Sequence, residues 1–133
     1  MQRPLHPLHA VLLAGTIPLF VGVLLADIAY FQTAEVQWKN FASWLLVGGL
    51  LLCGVALVWA LVGLFRVGWR MPGAVYFFLL LAIWILGFVN ALVHAADAWA
   101  SMPRGLILSA IVVLLVLAAT WSGLFNSRPE RAE

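Results

Sequence analysis

The chain has 133 residues, of which 65% are hydrophobic and only 9% charged, and its mean hydropathy is +1.09. A soluble domain carries about 25% charged residues, so this composition excludes a small water-soluble domain. The net charge of +2 is too small to indicate nucleic-acid binding. The single cysteine excludes a disulfide or a thiolate metal cage within one chain. The composition therefore predicts a small integral membrane protein.

Four apolar stretches follow one another along the chain, each near the ~20 residues that cross a bilayer as a helix. They cover approximately residues 8–30, 41–65, 73–94 and 104–125. Backbone groups in lipid must be hydrogen-bonded internally, and the short connections make consecutive helices antiparallel neighbours. We predict a single all-α domain over residues 1–133, an integral membrane four-helix bundle with up-down-up-down topology. Asn40 and Ser101 are the predicted N-caps of the second and fourth helices.

The basic residues predict the orientation. The side that holds both termini and the connection between the second and third stretches carries five arginines, and the other side carries only Lys39 and Arg104. Cytoplasmic segments are enriched in Lys and Arg, so both termini are expected in the cytoplasm. The five arginines are Arg3, Arg66, Arg70, Arg128 and Arg131.

A few polar residues lie within or beside the outer halves of the first and third stretches. Asn90, His94 and Asp97 are spaced by four and three residues, so they share one face of the third helix. Asp27 lies near the outer end of the first helix, at a depth similar to that of His94. Because an ionised group in hydrocarbon needs a partner, we predict an outer polar site of Asp27, Asn90, His94 and Asp97. A structural pair, a proton relay, a quinone contact and a docking point for a partner all stay open.

Two histidines at the N-terminus form a second candidate, an inner interfacial site. His6 and His9 are three residues apart, so they project from one face of a helical turn. Two ligands without a nearby thiol or carboxylate are weak evidence for a metal, and an interfacial helix cap is the alternative. A haem with two histidine ligands needs both at one depth, whereas His94 lies at the opposite end. We therefore predict no metal and no cofactor in one chain, and haem b or quinone only as alternatives.

Several segments carry a family resemblance. The opening HPLH, the run from Pro18 to Asp27, and the segments FVNALVHAADAW and PRGLILSAIVVLL resemble bacterial membrane proteins of the domain of unknown function 2231. The resemblance covers roughly residues 4–124 and implies a four-span protein of the bacterial inner membrane. Some relatives are fused to Rieske-type iron–sulfur domains or found beside redox enzymes, which implies redox partners. The motif residues that match are His6, His9, Asp27 and His94.

The chain departs from this family pattern at two places. Many members have a histidine near the start of the third helix, where this chain reads Gly73-Ala74-Val75-Tyr76. Many also end the fourth helix in GWLGG, where residues 120–124 read TWSGL. The first departure implies that the inner histidines lack a histidine partner from the third helix.

The sequence contains no nucleotide-binding glycine loop and no nucleophile–base pair, so we expect a non-enzymatic role. The leading interpretation is an anchor or accessory subunit of a membrane redox system. One alternative is an electron-transfer subunit that binds haem or quinone between chains, and another is a small oligomeric transporter or proton conduit. The expected partners are the lipid bilayer and either another membrane or periplasmic protein or further copies of the chain, with no nucleic acid.

Overall fold

A computed structural model describes residues 5–96 and 98–126. Within these residues the fold is all-α, without strands, and four helices are long and apolar enough to cross a membrane. The predicted fold class is thereby confirmed. The helices are α1 (Pro7–Thr33), α2 (Val36–Val67), α3 (Gly73–His94) and α4 (Arg104–Asn126), and a short 3₁₀ helix (Ala98–Ser101) precedes α4.

The helices pack so that α1 and α3 lie on a diagonal of the bundle. Both α1 and α3 pack closely against α2 and α4, and they contact each other far less. The α1–α2 and α3–α4 connections lie together at one end, which we call the hairpin end. The start of α1, the end of α4 and the α2–α3 connection lie at the opposite end, which we call the terminal end. A residue that reaches from α1 to α3 therefore crosses the bundle axis.

The connection between α1 and α2 is shorter than the apolar stretches suggest. Ala34 adopts a left-handed conformation (φ 57°), and its N–H donates to the carbonyl of Tyr30 at 2.8 Å, which reverses the chain at once. The predicted N-cap at Asn40 is wrong because α2 begins at Val36 and continues through it. Polar residues are tolerated there because α2 extends beyond the hydrocarbon, and the Lys39 ammonium donates to the carbonyl of Ala96.

The predicted cap at Ser101 is also wrong. Ser101 lies inside the 3₁₀ helix, and α4 starts three residues later at Arg104. Pro103 intervenes between them, and a proline that lacks an N–H fits immediately before or within the first turn of a helix. The α3–α4 connection is therefore partly helical and folds over the hairpin end.

Close packing at the centre of the bundle depends on glycine. The Phe20 ring of α1 is fully buried. A Cβ on Gly49 of α2 would lie 2.9 Å from Cζ of that ring, and a Cβ on Gly87 of α3 would lie 3.6 Å from its Cε1. Small residues allow such close approach in lipid, where apolar side chains gain little by leaving the bilayer. The ring of Phe20 thus fills the space that two glycines leave open.

We expect Gly49→Ala to destabilise the bundle and Gly63→Ala, on the same helix, to leave it unchanged or slightly more stable. The added methyl at Gly49 collides with a rigid ring, which costs about 1–3 kcal/mol. A Cβ on Gly63 meets nothing within 4 Å, so only the higher helix propensity of alanine acts there. Thermal unfolding in mild detergent measures both variants. Equal midpoints for the two would contradict the role given to Phe20.

The orientation is a separate prediction. A fluorescent protein that folds only in the cytoplasm should fluoresce when it is fused after residue 133, because the arginine-rich end is expected to face inward. Alkaline phosphatase, which is active only outside the cytoplasm, should be inactive at that position and active when it is inserted at Glu35. The reverse pattern would overturn the assignment.

Candidate functional site

Four polar side chains meet on the bundle axis near the hairpin end. Asp27 comes from α1, Asn90 and His94 from α3, and Ser109 from α4. All four are buried, with 0% of Asp27 and Asn90 exposed. They form one set of contacts, which we call the axial network. Three of the four helices are therefore joined by polar groups that lie within two turns of the helix ends.

The axial network is connected by short hydrogen bonds. His94 Nε2 lies 2.7 Å from Oδ1 of Asp27, and the Ser109 hydroxyl donates to Oδ2 of the same carboxylate at 2.5 Å. The Asn90 amide donates to the Ser109 hydroxyl at 2.8 Å. His94 Nδ1 lies 2.9 Å from the backbone carbonyl of Asn90, one turn earlier on α3. The carboxylate of Asp27 thus has a partner on each oxygen.

These contacts fix the protons of the pair. A backbone carbonyl only accepts, so Nδ1 of His94 carries a proton and donates it to Asn90. One further proton lies between Nε2 of His94 and Oδ1 of Asp27. On the histidine it gives an imidazolium beside a carboxylate, and on the aspartate it gives two neutral groups. In both forms the pair has no net charge, which is what its full burial in a membrane bundle requires.

The surroundings leave the His94 ring little room to move. A Cβ on Gly105 of α4 would lie 2.9 Å from Cε1 of the ring, so the absence of a side chain there lets α4 approach. Beyond the network, Trp99 packs against Tyr30 at 5.5 Å and against Phe31 at 5.9 Å between ring centroids. The aromatic contacts and the Lys39 bond to Ala96 close the hairpin end.

A second diagonal contact lies at the terminal end. His9 of α1 is buried, and its Nε2 lies 2.7 Å from the phenol oxygen of Tyr76 on α3. The ring of Trp59 on α2 lies 5.7 Å from that of His9 and 5.2 Å from that of His6. His6 is exposed, and its Nδ1 accepts from the N–H of Leu8 at 3.2 Å, so it caps α1.

The two contacts are matched in spacing. His9 and Asp27 are eighteen residues apart on α1, and Tyr76 and His94 are eighteen residues apart on α3. Eighteen residues make about five helical turns and about 27 Å, close to the ~30 Å thickness of the hydrocarbon core. We call the contacts the hairpin-end clasp (Asp27 with His94) and the terminal-end clasp (His9 with Tyr76). Each clasp ties α1 to α3 across the axis at one edge of the membrane.

Comparison with known proteins adds one finding. The family model described as "Predicted membrane protein (DUF2231)" matches residues 5–126. The chain belongs to the DUF2231 family. No curated protein and no solved structure matches it. The family resemblance seen in the sequence is confirmed, and both clasps lie within the part of the chain that the DUF2231 model covers.

The structure brings together three of the four residues predicted for the outer polar site, Asp27, Asn90 and His94. Asp97, the fourth, lies outside the described residues. The two predicted inner residues, His6 and His9, lie at the same end, where each contacts Trp59, and their hydrogen bonds go to Leu8 and Tyr76 respectively. No group of three or more His, Cys, Asp or Glu residues that could hold a metal is present among the described residues.

Sequence reasoning missed two partners in this DUF2231 chain. Ser109 is a small residue among apolar neighbours on α4, and its hydroxyl joins the axial network. Tyr76 lies near the start of α3, and its phenol oxygen lies within hydrogen-bond distance of His9. Both could have been identified from the sequence by looking for a polar residue at the same depth in the membrane as a polar residue on another helix.

We expect Asp27→Asn and His94→Gln to differ strongly in stability. With asparagine at position 27, the amide can donate to a neutral His94 and accept from Ser109, so every hydrogen bond is kept and the cost is about 1 kcal/mol or less. With glutamine at position 94, the buried carboxylate loses its proton-sharing partner, which costs about 3–5 kcal/mol. Equilibrium unfolding in mixed detergent measures the difference. Equal losses for both variants would contradict the shared-proton description.

Proposed function

We propose that the chain is a non-enzymatic anchor or accessory subunit of a membrane redox system in the bacterial cytoplasmic membrane, with both termini in the cytoplasm. The observation that carries the proposal is the pair of clasps, which join the diagonal helices at both membrane edges. In the hairpin-end clasp each donor and acceptor of the Asp27–His94 contact is engaged inside the chain. Such an arrangement suits a rigid scaffold better than a site that turns over substrate.

Redox partners are supported by the family resemblance, since some relatives are fused to Rieske-type iron–sulfur domains or found beside redox enzymes. The proposed partner is therefore a membrane or periplasmic protein that carries an iron–sulfur cluster or a haem. A rigid bundle would hold such a partner at the membrane through the ends of its helices.

The interior between the clasps favours the anchor over a proton conduit. Among the described residues, the buried side chains there are apolar except for Thr16 and Cys53. The Thr16 hydroxyl donates to the carbonyl of Leu13 in its own helix, and the Cys53 thiol faces the carbonyl of Leu80 at 3.7 Å. A proton relay needs a chain of polar groups or water across the core. The apolar part includes Leu13, Phe20, Val23, Leu46, Ala56, Leu80, Ile83, Val112 and Val116.

The histidine contacts also favour the anchor over a haem carrier. A haem iron needs an imidazole nitrogen that is available for coordination. Both ring nitrogens of His94 are hydrogen-bonded, and Nε2 of His9 is bonded to Tyr76. Haem coordination by His94 would require its contacts to break, so His94 does not fit an axial-ligand role, whereas His9 is bonded through Nε2 alone.

If the chain is an anchor, a substitution that loosens the bundle should reduce binding of the partner protein and leave the absorption spectrum of the purified chain unchanged. Tagged protein purified from native membranes in mild detergent should bring down its redox partner. His94→Gln should reduce the recovered partner several-fold because the bundle loosens, whereas Asp27→Asn should retain it. Oxidised and dithionite-reduced absorption spectra of the purified chain should be the same for wild type and both variants.

Two outcomes would overturn this proposal. One is a Soret band in the purified wild-type chain that disappears when a histidine is replaced, which would favour the carrier. The other is full partner recovery with a His94→Gln variant whose unfolding midpoint has clearly fallen.

A further inference from the structure

An aromatic and basic surface lies at the terminal end, where α2 ends and α3 begins. The connection opens with the sequence RVGWR, residues 66–70. The N–H of Gly68 donates to the carbonyl of Leu64 at 2.8 Å, and the φ of 96° at Gly68 belongs to the region that favours glycine. The chain reverses at this glycine, and the side chain of Trp69 packs back against both helices.

The indole of Trp69 contacts three phenylalanine rings. Its centroid lies 6.2 Å from that of Phe65 on α2, and 6.0 Å and 6.3 Å from those of Phe77 and Phe78 on α3. These contacts hold the indole in place, yet Trp69 stays 55% exposed, and Phe65 and Phe78 are exposed as well. An exposed aromatic patch of this kind marks a surface that contacts the membrane or another molecule.

The terminal-end clasp gives the depth of this surface. Phe77 directly follows Tyr76 of the clasp, so the Trp69 ring that contacts Phe77 lies at the edge of the hydrocarbon. On α2, Arg66 comes seven residues after Trp59, whose ring contacts the clasp histidine, which is about 10 Å of helix. The headgroup layer is about 5–8 Å thick on each side, and an arginine side chain is long enough to reach back into it. Arg66 therefore lies within reach of lipid phosphates.

The charge of this end is not balanced by acidic groups. Arg66 and Arg70 are both exposed, and no ion pair joins either of them to another residue in the described part of the chain. The two acidic residues in that part, Asp27 and Glu35, lie at the hairpin end, where the Lys39 ammonium also has a backbone partner. The terminal end is thus complementary to an anion.

We infer that this end of the bundle binds an anionic phospholipid. The binding surface, which we call the basic aromatic surface, consists of Phe65, Arg66, Trp69, Arg70 and Phe78. The guanidinium groups donate to the lipid phosphate, because a planar guanidinium presents paired N–H groups that match phosphate oxygens. The exposed aromatic rings cover the upper part of the acyl chains, at the depth where aromatic residues are enriched in membrane proteins.

A lipid fits the basic aromatic surface better than an acidic segment of a water-soluble protein does. Val67 and Met71, next to the arginines, are 65% and 73% exposed. An acidic segment would neutralise the guanidinium groups and leave these apolar side chains in water, whereas a phospholipid covers both kinds of surface. Lipid binding is independent of the anchor role and adds a ligand to it.

A lipid titration tests the inference. The full chain, purified in mild detergent, is titrated with phosphatidylglycerol and with phosphatidylcholine of the same acyl chains, and native mass spectrometry counts the bound lipids. The two lipids differ in the net charge of the headgroup, so we expect phosphatidylglycerol to bind about tenfold more tightly or better. Added salt should reduce the difference, because it screens exposed charges.

Arginine variants locate the binding surface. Arg66→Gln and Arg70→Gln should each weaken phosphatidylglycerol binding about fivefold, and the double variant about 30-fold, as expected for single arginines near an anionic membrane surface. Arg104→Gln removes the same charge from the hairpin end and is the matched control, which should bind like wild type. All three arginines are exposed, so the unfolding midpoints without lipid should not change.

The fluorescence of Trp69 reports where the lipid lies. Phosphatidylglycerol with bromine atoms on the upper part of its acyl chains quenches an indole that it contacts. We expect saturable quenching in the wild type and less of it in Trp69→Phe, which keeps an aromatic ring at this position. Trp44→Phe, at the hairpin end, is the matched control, since Trp44 is 76% exposed, and it should be quenched like wild type at position 69.

Several results would overturn the inference. One is equal affinity for the two lipids, and another is a double arginine variant that binds phosphatidylglycerol like wild type. A loss in Arg104→Gln as large as that in the double variant would indicate a general effect of charge. If the double variant lost its partner protein and kept its lipid affinity, the surface would bind protein instead. Failure of lipid binding leaves the anchor role intact, because that role is tested by partner recovery with His94→Gln.

Discussion

The structure depends on one contact, between the carboxyl group of Asp27 and the imidazole of His94 across the bundle axis. In a bilayer, apolar side chains gain little by leaving lipid for another helix, so polar contacts and close packing set how helices associate. The Asp27–His94 pair shares a single proton and has no net charge, which allows it to be buried completely. Ser109 and Asn90 complete its hydrogen bonds and thereby fix α4 to the same level of the bundle.

The close packing of the helices follows from this contact. A diagonal pair of helices can share a side-chain bond only if both of them, here α1 and α3, pack close to the bundle axis. Gly105 allows α4 to lie against the His94 ring, and Gly49 allows α2 to lie against Phe20. The glycines act here through the volume they leave open, since both lie within regular helix.

The two clasps have the same spacing along the helices but differ in chemistry. At the hairpin end the His94 ring is hydrogen-bonded through both nitrogens and aromatic residues cover the network, although Oδ1 of Asn90 has no hydrogen-bond partner within the described residues. At the terminal end, His9 is bonded through Nε2 to Tyr76, and its Nδ1 has no hydrogen-bond partner within the described residues.

The sequence by itself determined the number of helices, their approximate limits and the equal depth of Asp27 and His94. These are one-dimensional properties: apolar length is set by bilayer thickness, and depth by the rise of 1.5 Å per residue. Only the tertiary structure decided that α1 and α3 are diagonal and that Ser109, Tyr76 and Trp59 complete the two ends. No periodicity links residues 67 positions apart. Whether these residues meet depends on the rotation of each helix about its own axis, and that rotation is set by the side-chain volumes on all neighbouring helices.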